Sequence, residues 1–203
     1  MRKALKRIMV CLVAAALVWT GALIGDRKLL REELIRLHVV AASDSGEDQN
    51  LKLRVRDAVT ESLKQEMANL GDVDAAKAYL QQHIPQIQAL AESVLRKYGC
   101  EDAVTVSLLT EEFGKRIYDT FSLPSGLYQS LRIRIGEAEG KNWWCVVFPS
   151  ICLSATSDGF EDTAECAGWD EDLIAALEGK DGYEIRFFLL DVLGRLENLL
   201  HEG

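Results

Sequence analysis

Four basic side chains, Arg2, Lys3, Lys6 and Arg7, precede a run of seventeen residues without a charge, IMVCLVAAALVWTGALI from Ile8 to Ile24. As a helix this run reaches about 25 Å, at the short end for crossing a bilayer and slightly long for a signal-peptide core. Basic residues ahead of an apolar run stay in the cytoplasm, so the rest of the chain is expected outside. Residues 1–28 are therefore an address, either a signal peptide or a signal anchor, and fold reasoning starts after them. Ala14, Ala16, Gly21 and Ala22 are small but form no crisp cleavage site.

Residues 29–203 form the second region, long enough for one domain with its own core. The chain's net charge is −9, and the address holds six basic side chains against one acidic, which leaves residues 29–203 at −14. Such a body is repelled by nucleic-acid phosphates and by anionic membrane surfaces, so nucleic acid is excluded as a partner.

The body reads as α+β: a small, largely antiparallel sheet with packed helices, in the order β-α-α-β-β-β-α-α. Leu34–Ala41 alternates, with Ile35, Leu37, Val39 and Ala41 on one face and Arg36 and His38 on the polar one. Ser45, with Asp48 three residues on, resembles a capping box opening a helix that Gly71 ends. A second helical stretch runs from Asp72 or Asp74 to Tyr98, and Pro85 should kink it or restart it. Strands follow at Val104–Leu108, Leu127–Ile135 and Asn142–Phe148, the last two joined by a glycine-containing reversal at 136–140. Residues 154–182 are acidic, with Trp169 as the only large apolar anchor expected and a short helix at Glu171–Leu177. In the last segment, Tyr183–Leu200, Ile185, Phe188, Leu189, Val192, Leu193, Leu196, Leu199 and Leu200 fall on one helical face, although its first residues could instead be a strand with Tyr183, Ile185 and Phe187 aligned.

Signals of specific chemistry are few. His38, Asp44 and Asp48 form a candidate functional polar loop, but their spacing fits no standard zinc or calcium site, and the competing reading makes the aspartates helix-start ligands of free amides. No catalytic, metal or cofactor site is therefore expected. Outside the cell disulfides are allowed, and Cys145 with Cys152 is the best-placed pair because Pro149-Ser150 can reverse the chain between them; two buried thiols are the alternative. Whether Cys100 and Cys166 pair is left open. The sharpest feature is Asn142-Trp143-Trp144-Cys145. Neighbouring side chains on a strand point to opposite faces, so the two indoles cannot share one core. Either both faces are covered or one indole stands outside as an anchor for a partner.

The blocks LIRLHVVAASDSGEDQNLKLRVRDAV (34–59) and PSGLYQSLRIRIGEAEGKNWWCVVFPSIC (124–152), behind an export segment and ahead of YEIRFFLLDVLGRL, resemble the stage II sporulation protein R family. The resemblance implies a protein of endospore-forming bacteria, made in the forespore and exported to the intermembrane space. It implies a signal rather than an enzyme, whose partner is a membrane-embedded aspartic-type protease that processes the precursor of an early mother-cell sigma factor. An uncleaved N-terminal segment would add the membrane as a second partner. The 126–152 segment is the expected partner-facing hairpin, with Tyr128, Arg132, Asn142, Trp143 and Trp144 as contacts and Trp143 or Trp144 as anchor. Ala42, Ser125, Ala138 and Ser150 depart from the family pattern, and Ala138, replacing a turn glycine, is expected to change the loop's shape because it disfavours a positive φ. Two other classes compete: an extracytoplasmic hydrolase built on His38, Asp44 and Asp48 or on a free Cys145, and a cell-wall-binding module stacking an indole on sugar.

Overall fold

The computed structural model describes residues 2–149, 160–166 and 168–201. The fold is α+β, with six helices among the described residues and a four-stranded, mostly antiparallel sheet. Helix α1 (Arg2–Glu32) is continuous, and β1 (Ile35–Val40) follows it. Helices α2 (Gly46–Asn69) and α3 (Val73–Lys97) come next, then β2 (Val104–Phe113) and a small ribbon of β3 (Arg116–Ile117) and β4 (Ser122–Leu123). Strands β5 (Gly126–Ile135) and β6 (Asn142–Phe148) complete the main sheet, and α4 (Phe160–Cys166), α5 (Glu171–Glu178) and α6 (Glu184–His201) close the domain.

Local chemistry sets the helix boundaries. The Ser45 side chain accepts from the Asp48 amide and caps α2, but the box is not reciprocal, because the Asp48 carboxylate takes the Ser43 hydroxyl instead. Asp72 caps α3 by accepting from Ala75, and Pro85 lies inside α3 without restarting it. The carbonyl that Pro85 leaves without its intrahelical donor belongs to Gln81, an exposed residue.

The strand order is β2-β5-β1-β6. β1 lies between β5 and β6, parallel to the first and antiparallel to the second, so 126–152 is not a hairpin. The connection at 136–141 passes over the end of β1, where the Glu139 and Gly140 amides donate to the Ala42 and Ala41 carbonyls. Ala138 holds the left-handed conformation there, with φ 56°, so the loop keeps the geometry a glycine would favour.

Both faces of the sheet are covered. On one, Leu37, Val39, Leu131, Ile133 and Val106 pack under Val55, Val59, Leu80 and Ala91 of α2 and α3. On the other, Phe113, Tyr128 and Val146 meet Leu30 of α1, Phe160, Trp169, Leu173 and Leu190. Trp169 is therefore not the only anchor of its region, since Phe160 is buried beside it and stacks on Phe121 at 4.3 Å.

The final helix departs most from its sequence pattern. Its inward face carries Leu190, Asp191 and Gly194, while Ile185, Phe188, Leu196 and Leu200 are 65, 63, 51 and 84% exposed. Gly194 explains the seating: an added Cβ would overlap the Ser125 carbonyl, so only glycine lets the helix backbone approach the start of β5. Asp191 then accepts from the Ser125 amide at 2.8 Å.

Candidate functional site

Strand parity divides Trp143 and Trp144 between the two faces of β6. Trp143 lies on the α2 side at the sheet edge, 37% exposed, with the Arg56 guanidinium 4.2 Å from its ring centre. Trp144 lies on the opposite face, between the imidazole of His38, stacked at 5.7 Å, and the guanidinium of Arg116, 3.5 Å from its ring centre. The register places His38 opposite Trp144 and Arg36 opposite Val146, so β1 and β6 present this group together.

Behind Trp144 the site turns polar. His38 Nδ1 lies 2.9 Å from Glu111 Oε2, and because a carboxylate only accepts, Nδ1 is the donor. Nε2 lies 3.0 Å from the Asn142 side-chain oxygen, and Arg132 donates to the same Glu111 oxygen at 3.4 Å. Burial alone would raise the Glu111 pKa, but the hydrogen bond from His38 and the His38 and Arg132 charges outweigh it and hold the carboxyl below its ordinary value. Burial, and then the charge of Arg36, lower Arg116. Arg36 is fully enclosed, its guanidinium 4.0 Å from the ring centre of Phe113 and 5.0 Å from that of Tyr128. It donates to the Tyr118 hydroxyl at 2.9 Å, while its Nε and Nη1 have no hydrogen-bond partner. The face is thus rich in arginine and aromatic rings within an acidic domain, suited to stacking and to holding an acidic group.

The sequence-predicted residues separate into groups. Asn142, Trp144, Arg132 and His38 meet at this site, while Trp143 stands at the same strand edge on the opposite face of the sheet. Tyr128 does not reach a surface: it is fully buried, donates to the Pro124 carbonyl at 2.8 Å, and its pKa is raised by that burial. Asp44 and Asp48 bond elsewhere: Asp44 accepts from the Lys141 amide at 2.7 Å and ties down the loop over the end of β1, and Asp48 accepts from Ser43 within the connection from β1 to α2. His38 engages Glu111 and Asn142, and neither ring nitrogen faces a hydroxyl or a thiol. Among the described residues no group of three or more His, Cys, Asp or Glu side chains could hold a metal. Cys145 is disulfide-bonded and Cys100 is a free thiol; Cys152 lies outside the described residues, as does the side chain of Cys166.

Sequence reasoning missed Glu111, Arg36 and Arg116. The signal for Glu111 was the continuation of β2, VTVSLLTEEF, where odd positions from Thr105 to Phe113 share one face. Arg36 was placed on the correct face, but that face was taken as open.

Residues 31–158 match the family described as stage II sporulation protein R. The chain belongs to this sporulation family. Stage II sporulation protein R of Bacillus subtilis (strain 168) is 27% identical over 221 aligned positions, covering 94% of this chain and 98% of that protein. No solved structure matches. Both family blocks contribute to the site, the first through Arg36 and His38 and the second through Arg132, Asn142 and Trp144. One helix among the described residues, Lys3–Glu32, is long and apolar enough to cross a membrane, which fits a signal or anchor.

Proposed function

We propose that this chain is an exported sporulation signal that activates a membrane-embedded aspartic-type protease, which then processes the precursor of an early mother-cell sigma factor. The observation that carries the reading is family membership across residues 31–158. The N-terminal apolar helix supports export from the forespore into the intermembrane space, with residues 29–203 as the active part. The partner-facing surface is the β6 edge: Asn142 and Trp143 are exposed there, Arg56 and Arg116 lie over the two indoles, and β6 is an outer strand of the sheet. An exposed aromatic ring beside a guanidinium is a common anchor for a protein partner.

The test is cleavage of the sigma-factor precursor in cells making the matching protease, with and without this chain. Cleavage only when the chain is exported is the expected result. An exported, folded chain that leaves the precursor intact refutes the reading. Trp143→Ala then locates the surface: it should abolish cleavage while the fold persists, and full cleavage would remove the β6 edge from consideration.

A further inference from the structure

Helix α6 carries two faces of opposite character. Phe187, Leu190, Asp191 and Gly194 turn toward the body, and Ile185, Phe188, Leu196, Leu199 and Leu200 turn to solvent. No carboxylate interrupts the outward stripe. A soluble surface rarely exposes so much contiguous apolar area without an occupant.

The position of α6 relative to α1 identifies the occupant. Asp26 and Arg27 are neighbours on α1, yet Asp26 pairs with Arg186 and Arg27 with Glu197, eleven residues apart on α6. Eleven residues are about 16 Å of helix, so α6 lies across α1 rather than alongside it. The crossing falls where the uncharged run ends. Ile24, Lys28 and Arg31 of α1 line a groove of about 710 Å³ with Leu193, Leu196 and Leu200 of α6. A bilayer entered by α1 therefore ends level with the apolar stripe. Lys28, 3.8 Å from Glu32, and Arg195, paired with Asp191 at 2.6 Å, are both well exposed and stand at the rim, where phosphate headgroups would sit, and Glu197 is neutralised by Arg27 and Arg31.

We infer that α6 is an interfacial helix whose outward stripe lies in the headgroup layer of the bilayer that α1 enters. The inference rests on α1 being seated in a membrane, and it gives the domain a fixed orientation: α6 against lipid, α2 and α3 on the opposite side. Interfacial helices have this composition, an apolar stripe with cations at its edge.

The experiment uses the full chain reconstituted in phosphatidylcholine vesicles with brominated acyl chains, which quench indole emission on contact. Phe188→Trp and Leu200→Trp place a probe on exposed stripe positions, Tyr98→Trp places one at the end of α3, and the difference between the chain and its Trp19→Phe variant reads α1 itself. The expected result is quenching of both α6 probes, as strong as that of Trp19, with the α3 probe unaffected. Unquenched α6 probes beside a quenched Trp19 overturn the inference and give the stripe to a protein partner or a second copy. Unquenched α6 probes with an unquenched Trp19 overturn both the inference and the membrane seating of α1.

Discussion

Gly194→Ala tests the seating of α6 directly. In a helix the substitution should gain up to about 1 kcal/mol, because alanine is the better helix former. Here the new Cβ would overlap the Ser125 carbonyl and stand 3.1 Å from the Gly126 nitrogen. Normal non-bonded contacts begin near 3.5 Å, so α6 must move outward. Moving it stretches the 2.8 Å bond from the Ser125 amide to Asp191 and loosens Leu190, which is fully buried. Overpacking of this kind costs about 1–3 kcal/mol, and a weakened hydrogen bond to a charged group about 1.5–3. Set against the helix gain, the net loss is about 1.5–5 kcal/mol. Urea unfolding of the detergent-solubilised chain, followed by tryptophan emission, reads it as a lowered midpoint. Leu196→Ala, on the outward stripe, should change the unfolding free energy by less than about 0.5 kcal/mol. If Gly194→Ala were as stable as the parent, or if Leu196→Ala were the more damaging change, the assignment of inward and outward faces would be wrong.

Ala138→Gly should stabilise the fold by about 0.5–1 kcal/mol, because it relieves a left-handed residue, and thermal melting will show it as a raised midpoint. Trp144→Ala should cost about 3 kcal/mol in urea unfolding, since it empties the space between His38 and Arg116, while Trp143→Ala at the edge should cost about 1. Glu111, Asp191 and Glu197 are all held below their ordinary carboxyl pKa values, so the stability they contribute is present above those values and is lost as pH falls through the depressed ones. Glu111→Gln should flatten the acid limb of a stability-against-pH curve, and an unchanged limb would refute the His38–Glu111 pairing. Without reductant, Cys145 should resist alkylation in the denatured chain while Cys100 reacts, as peptide mass mapping can check.

How far the sequence could be read follows from what each pattern reports. Strand alternation gave β1 and β6 nearly to the residue, and the serine and aspartate caps located α2 and α3, because these signals are local. Alternation does not say what covers the second face. Arg36 looked like a solvent-facing residue beside His38, whereas the Phe113, Tyr128 and Tyr118 side chains close around it. The same limit hid the insertion of β1 between β5 and β6: a glycine-containing reversal suggests neighbouring strands, whereas this one passes over a third. The site was legible in Asn142, Trp143, Trp144 and His38, and illegible in Glu111 and Arg116, whose places depend on long-range register. The leucine-rich face of α6 was legible as a stripe but not in what it faces, since periodicity cannot choose between a core and another apolar medium.

Helix α1 does not end its work where its uncharged run ends. Leu23 and Leu30 are buried in the second core, and Asp26 and Arg27 are paired with α6. A peptidase cutting upstream of Leu23 would release a domain with its packing intact, whereas a cut beyond Leu30 would take away part of that core along with the address. The point of severance thus decides whether a freed domain outlives its release.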